Sequence, residues 1–543
     1  MENRFLLTYR TTAGERSLRN LAEDESVSLS FETSGERRKI LLTAKEDLTL
    51  LSFEESVPSL EEEGGKADLF FLNGYQSWTD SFERYLSEKE KSLNKLPRIV
   101  VDTFAFDRYG DYTFYAYDKG KLHGFDLFYE KGNRPRFVFS VNAENAYLII
   151  EVERKSGKIA LLSDVQGAWL KAGESYTISD YYLFDSYEDG LEAFEERYPL
   201  KEREKIFGYT SWYNYYQEVS EEILLRDLDA LDERFNLFQI DDGFETKVGD
   251  WLSVDPLKFP EGLEPIVKRA HEKGMKAGLW LAPFVAEEQS ELFRDHKAWF
   301  KRDERGAFVK CGSNWSGFYA LDLENPEVLS YIEKCLKHYS DMGFDFFKLD
   351  FLYAANLPAY PGKTRARAAE EAYRFLREKL PNKLILGCGA TLTNAAGKFD
   401  YMRVGPDMSL SFDDAFYMRF FHRERPSSKT TAQNTIYRSF LNGRFFGNDP
   451  DVFLLRDENL KLKEKTKFAI LTLNALFGDV LMTSDNVKGY GDRAKERMND
   501  AFELFKKAKN VRFQRKGNRI AVRYEVDGNP RALVYDKEKG ELI

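Results

Sequence analysis

Phe346-Phe347-Lys348-Leu349-Asp350 is a short apolar run interrupted by one cation and closed by one carboxylate. Arg403-Val404-Gly405-Pro406-Asp407 repeats the plan, with a second aspartate just past a second buried run. In an α/β barrel the carboxyl ends of the strands surround the one face where chemistry occurs. Two carboxylates meeting there permit acid/base plus nucleophilic work.

Working outward, short apolar runs alternate after Ile206 with amphipathic segments of helical length, the pattern of βα units around a parallel sheet. Candidate strands end at Ser211, Ile240, Leu281, Asp350, Gly387, Val404, near Phe446 and near Met482, which makes eight, the barrel number. Helices are predicted over Pro265 to Lys273, stopped by Gly274, and over Arg365 to Lys379, stopped before Pro381. Before this region, alternating runs such as Tyr147-Leu148-Ile149-Ile150-Glu151-Val152 are separated by turn clusters such as Lys131-Gly132-Asn133, a β-sandwich texture. The expected organisation is a multidomain chain: an N-terminal β-sandwich over 1–185, a charged linker over 186–205, a central (β/α)8 TIM barrel over 206–485 and a small C-terminal β domain over 486–543.

The 543 residues are too many for one ordinary core. A net charge of −11 without any basic stripe argues against nucleic acid. Three cysteines, Cys311, Cys335 and Cys388, give no disulfide framework and fit a reducing compartment. With no leader-like start and no run of about 18 apolar residues, a cytoplasmic protein without membrane partners is expected. The five histidines show no metal-ligand spacing, so neither metal nor other cofactor is expected.

If the runs are barrel strands, their ends bring Trp212, Asp241, Asp242, Trp280, Lys348, Asp350, Cys388, Arg403 and Asp407 around one pocket. Asp350 follows Lys348 by two residues, so both side chains face one way on an extended strand and the cation keeps the carboxylate ionised, as a nucleophile requires. Asp407 lies in a turn, where a less charge-compensated carboxyl stays protonated long enough to act as general acid. Standing alone, it reads as a helix N-cap. Asp241-Asp242 reads as a metal site or as a clamp on neighbouring sugar hydroxyls, and no further acidic spacing supports the metal. Trp212 and Trp280 suit a wall for a sugar ring or plain core packing. Cys388 has no histidine at a catalytic spacing and reads as pocket lining, and His422 reads as structural.

The ordered set of these motifs resembles the retaining α-galactosidases of glycoside hydrolase family 36, the melibiase group. The resemblance is carried by Asn73-Gly74-Tyr75-Gln76-Ser77-Trp78, Gly208-Tyr209-Thr210-Ser211-Trp212-Tyr213 and Gln239-Ile240-Asp241-Asp242-Gly243-Phe244. It continues through Gly249-Asp250-Trp251, Gly278-Leu279-Trp280-Leu281-Ala282-Pro283, Lys348-Leu349-Asp350, Gly387-Cys388-Gly389 and Arg403-Val404-Gly405-Pro406-Asp407. The chain departs from the long family members at Phe351-Leu352-Tyr353 and at Val404-Gly405-Pro406, and is similar to the shorter microbial type. The resemblance implies an N-terminal β-supersandwich, Asp350 as nucleophile and Asp407 as acid/base. It implies Asp241, Asp242 and Lys348 on galactose hydroxyls, and Cys388, Arg403, Trp212 and Trp280 around the ring. Tyr75 or Trp78 is expected to reach in from an N-terminal loop. The implied activity is retaining hydrolysis of terminal α-D-galactosides of the melibiose or raffinose type, on an oligosaccharide substrate and with the oligomeric state open. Galactosyl transfer, α-N-acetylgalactosaminidase activity and a non-catalytic carbohydrate-binding barrel are the alternatives.

Overall fold

The structure is a computed structural model that describes residues 4–357, 361–413 and 422–543. Two seven-stranded antiparallel sheets are built from the first 184 residues. Leu122 and Ile150 of one meet Phe70, Phe128 and Val138 of the other in a shared core. The second sheet is buried on both faces around Leu127–Lys131 and Arg136–Ser140, so Arg136–Ser140 lacks the polar alternation of a half-exposed strand. Val138 points into the sandwich, while Phe137 and Phe139 join the large core that continues into the parallel sheet. The segment predicted as a charged linker contains the helix Tyr187–Arg197. Its Gly190 lets the helix lie against Phe137, since an added Cβ there would come within 2.2 Å of the Phe137 Cβ.

Nine strands then form one wholly parallel sheet: β1 (Ile206–Thr210), β2 (Leu237–Ile240), β3 (Lys276–Leu281), β4 (Phe346–Leu349), β5 (Leu384–Gly387), β6 (Tyr401–Arg403), β7 (Gly447–Asp449), β8 (Val452–Phe453) and β9 (Val480–Thr483). Their order is β7-β6-β5-β4-β3-β2-β1-β9-β8. The two edge strands are separated in sequence only by Pro450 and Asp451. The seventh run, expected to end near Phe446, instead begins at Gly447. Asn448 and Asp449 are buried polar residues, so apolar patterning passes over them.

The connecting helices start and stop where chain chemistry directs. Asn325 caps Pro326–Met342 by accepting from Glu327 N–H, and Gly343 ends it at φ +110°. Thr364 caps Arg365–Lys379, the helix the sequence predicts. After β3 the chain makes an excursion absent from the sequence reading: Val285–Glu287, Lys310–Gly312 and Phe318–Ala320 form a separate three-stranded antiparallel sheet. At the far end the strands expected from about residue 486 begin at Ala508, after the helix Asp492–Lys507, and make a four-stranded antiparallel sheet.

The N-terminal unit is fastened to the parallel sheet by a fully buried cation. Arg438 follows the helix Ser428–Tyr437. Its Nε donates to Asn73 Oδ1 at 3.0 Å, and Nη1 donates to the Ser77 carbonyl at 2.6 Å and the Val404 carbonyl at 2.8 Å. Nη2 donates to the carbonyls of Gly74 and Gln76. Burial pushes its guanidinium down to about 9, with Asp80 pulling the other way, and it remains a cation at neutral pH. Replacing Arg438 by Met strands those acceptors. Chemical unfolding should show a loss of about 3–5 kcal/mol.

Candidate active site

At the carboxyl ends of the parallel strands lies a cavity of about 220 Å³ whose walls include Asp241, Asp242, Lys348, Asp350 and Asp407. Trp78, Trp212, Trp280 and Trp315 supply its apolar surface. The sequence-predicted carboxylates at 350 and 407, far apart along the chain, therefore face one space.

Asp350 follows the last residue of β4, where Phe351 turns the backbone to φ +53°. One carboxyl oxygen accepts from Trp280 Nε1 at 3.1 Å and the other from the Phe351 N–H at 2.8 Å. Lys348 does not form the intrastrand pair expected from its spacing. Its Nζ donates across to Asp241 Oδ2 at 2.8 Å, because β3, between β4 and β2, brings a tryptophan and not a carboxylate to the rim. Burial alone would push the Lys348 ammonium down, but the charges of Asp241 and Asp350 outweigh it and hold the group above the ordinary lysine range.

Asp241 is locked in place: Oδ2 also accepts from Gln239 Nε2 at 2.7 Å and Thr210 Oγ1 at 3.1 Å, and Oδ1 from the Asp242 N–H at 3.0 Å. Asp242 accepts from Trp315 Nε1 at 2.8 Å. Burial raises the Asp242 carboxyl above its usual range, with Asp241 adding repulsion, and hydrogen bonds from Glu245, Trp315 and Gln217 work against the rise. Glu245 itself is pushed well up, by burial first and then by the charge of Asp242. Among the described residues no group of three or more His, Cys, Asp or Glu is arranged to hold a metal ion.

Asp407, expected to be the less charge-compensated carboxyl, has Arg403 Nη1 donating to its Oδ1 at 3.0 Å. Its carboxyl is nonetheless raised, by burial foremost and by the like charges of Asp350 and Asp241, against the pull of Arg403 and Lys348. About 40% of the Asp407 side chain is open, so cavity water offsets part of the burial effect.

Not every predicted site residue lines the cavity. Arg403 and Cys388 lie behind it, fully buried, and Cys388 Sγ is 3.3 Å from Trp78 Nε1. Burial raises the Cys388 thiol far above its ordinary range, as does Asp350, so it is no nucleophile. Tyr75 sits deeper still, packed against Phe114, Phe125 and Tyr147, with its hydroxyl accepting from Asn356 Nδ2 at 2.8 Å. Of the two N-terminal candidates only Trp78 reaches the cavity.

Several wall residues had no sequence signal. Trp315 and Asn314 arrive on the excursion after β3, and Phe106 and Tyr109 come from the N-terminal unit. His422 and Glu424 also line the cavity. His422 was read as structural; its ring stacks between Phe106 at 5.0 Å and Tyr109 at 6.4 Å, and burial pushes it down to about 3, so it is neutral.

The cavity at the carboxyl ends of the parallel sheet is thus lined by tryptophans and walled by carboxylates. Residues 195–379 match the family model described as Melibiase. The α-galactosidase of Escherichia coli is 28% identical over 176 residues, 30% of this chain and 24% of that protein. The α-xylosidase XylQ of Lactiplantibacillus pentosus is 30% identical over 154 residues, 27% of this chain and 20% of that protein. The matched stretches thus span about a quarter or less of these two relatives. TtGalA, an α-galactosidase of Thermus thermophilus solved with p-nitrophenyl α-D-galactopyranoside, superposes with a TM-score of 0.70 at 26% identity, covering 93% of this chain and 98% of that one. The fold and the matched stretch are thus similar to those of α-galactosidases.

The wall segment 422–426 is tied to the N-terminal unit through a buried histidine. His123 Nδ1 lies 2.8 Å from Glu90 Oε2 and Nε2 lies 2.8 Å from Asp111 Oδ2, while Arg423 also pairs with Asp111. Burial opposes the charge on His123, but Glu90 and Asp111 overcome it and raise the imidazolium to about 9. The ordinary histidine value is about 6.5, so this contribution to stability is complete below about 6.5 and is lost as pH climbs through about 9. The melting temperature should fall over that window, and His123→Gln should flatten the fall.

Proposed function

We propose that this chain is a retaining α-galactosidase, releasing terminal galactose from oligosaccharides by double displacement. The observation that carries the reading is that Asp350 and Asp407 line one cavity, each in a different electrostatic setting. Asp350, held by Trp280 and the Phe351 N–H, attacks the anomeric carbon. As the C1–O bond breaks, Asp407 gives its proton to the departing oxygen. Water then attacks the anomeric carbon of the glycosyl ester and gives its proton to Asp407, and the C1–O bond to Asp350 breaks to free its carboxylate. The raised Asp407 carboxyl supports its role as the acid, since an acid must still hold its proton at the working pH. Asp241, Asp242 and Lys348 are the groups we assign to the sugar hydroxyls. All three offer charged hydrogen bonds that are already aligned before ligand arrives.

The same proposal takes the nine-stranded sheet as a closed (β/α)8 barrel in which 447–453 is one strand interrupted at Pro450 and Asp451. Its support is that β7 pairs with β6 and β8 with β9, so the two edges of the sheet meet in one stretch of chain. A reducing, cytoplasmic setting is supported by three free, buried thiols. The substrate class is supported by the TtGalA structures, solved with p-nitrophenyl α-D-galactopyranoside and with stachyose.

The test is a panel of aryl α-galactoside, α-xyloside, 2-acetamido-α-galactoside and β-galactoside, with the first-formed anomer followed by NMR. The α-galactoside should turn over fastest and yield α-galactose first; β-galactose as first product would refute retention. Asp350→Asn should lower kcat on the order of 10⁴-fold, in line with loss of one member of a catalytic unit. Asp407→Asn should impair alkyl galactosides far more than p-nitrophenyl galactoside, whose leaving group needs little protonation.

A further inference from the structure

Arg403, at the end of β6, turns its guanidinium nitrogens to three different aspartates. Nη1 donates to Asp407 Oδ1 at 3.0 Å and Nε to Asp449 Oδ2 at 2.9 Å, and Nη2 approaches Asp451 Oδ1 at 2.9 Å as an ion pair. Asp449 and Asp451 are fully buried, whereas Asp407 opens into the cavity. One cation divided among three carboxylates cannot neutralise any of them completely.

Asp451 is held with care. It occupies the break between β7 and β8 at φ +72°, a left-handed conformation that a non-glycine residue adopts at a cost, aspartate and asparagine least. Its Oδ2 accepts from the Met408 N–H at 2.7 Å and from the Tyr213 hydroxyl. Met408 is the residue after Asp407, so Asp451 fixes the backbone that carries Asp407 as well as the cation beside it. Asp449 in turn accepts from the Asp451 N–H at 2.8 Å.

We propose that Asp451, seconded by Asp449, is a positioning residue that keeps Asp407 an acid by anchoring Arg403 from its far side and limiting the charge that Arg403 presents to Asp407. This rests on reading Asp407 as the acid/base. Among the described residues, the groups facing Asp407 are Arg403, Lys348, Asp350, Asp241 and Asp451, with Tyr213, Tyr216 and Cys388 also within its field. Those facing Asp451 are Arg403, Asp407, Asp449 and Tyr213. Burial, with Asp407 and Asp449, raises the Asp451 carboxyl to about 6 against the pull of Arg403, so it is largely ionised at neutral pH and above. Removing its charge takes away a repelling neighbour of Asp407 and leaves Arg403 less compensated. Both changes lower the pKa of Asp407, so its proton is lost at lower pH.

Asp451→Asn keeps the shape, tolerates φ +72° and retains an acceptor for Met408 N–H. Measured as kcat/KM against pH, its basic limb should move down by roughly one unit. Above that limb the loss should be on the order of tenfold greater for methyl α-galactoside than for p-nitrophenyl α-galactoside, because only the former depends on the acid. Asp449→Asn should shift the limb in the same direction and decides the matter if Asp451→Asn does not fold. A limb that stays in place, with equal losses on both substrates, overturns the proposal. Asp407→Asn separates the two readings: if the basic limb survives that substitution, the acid/base assignment itself fails, whereas its disappearance with an unmoved limb in the 451 and 449 variants defeats the positioning role alone.

Discussion

A single buried guanidinium decides whether the cavity has a complete wall. Arg438 collects acceptors from Asn73, Gly74, Gln76 and Ser77 and, on the other side, the carbonyl of Val404 beside β6. Those N-terminal acceptors belong to the loop that carries Trp78, and Ser77 in turn pairs with Gly389 and Ala390 at the end of β5. Without that cation the loop would present bare carbonyls to a desolvated interface, which is costly. The antiparallel unit is therefore part of the site and not an appendage. The double-sided burial of Arg136–Ser140 in its second sheet expresses the same fact in apolar terms.

Inside the cavity the charges are sorted by what neutralises them. Lys348 is committed to Asp241, which leaves Asp350 with two neutral donors, an indole and a backbone N–H. Arg403 is shared among three carboxylates, and burial foremost, with the like charges of Asp350 and Asp241, keeps the Asp407 carboxyl raised even with a guanidinium at hydrogen-bond distance. The two carboxyls thus have different partners in one cavity.

The positions at which strands end were legible in the sequence, because parallel strands buried on both faces read as continuous apolar runs closed by a polar residue. That is why Ile240, Leu281 and Gly387 end strands as expected and why Asp241, Trp280 and Asp350 gather. What was hidden depended on contacts across the sheet or on backbone conformation. The spacing of Lys348 and Asp350 predicted a local pair, but the partner lies on β2, two strands away. Nothing in residue type signals the φ of +72° at Asp451. Trp315 could not be placed because the excursion that delivers it carries its own small sheet, with no periodicity linking it to the barrel pattern. Arg438 is fully buried although arginine is a residue type ordinarily found exposed, so residue type gave no sign of it.

The cavity wall has two kinds of provenance. Asp241, Asp242, Lys348 and Asp350 stand at or just beyond rigid strand ends, whereas Phe106, Tyr109, Asn314 and Trp315 are delivered by loops hung outside the sheet. Insertions and deletions in those loops leave strand register untouched. Changes in those loops can accordingly reshape the rim while the residues at the strand ends stay in place.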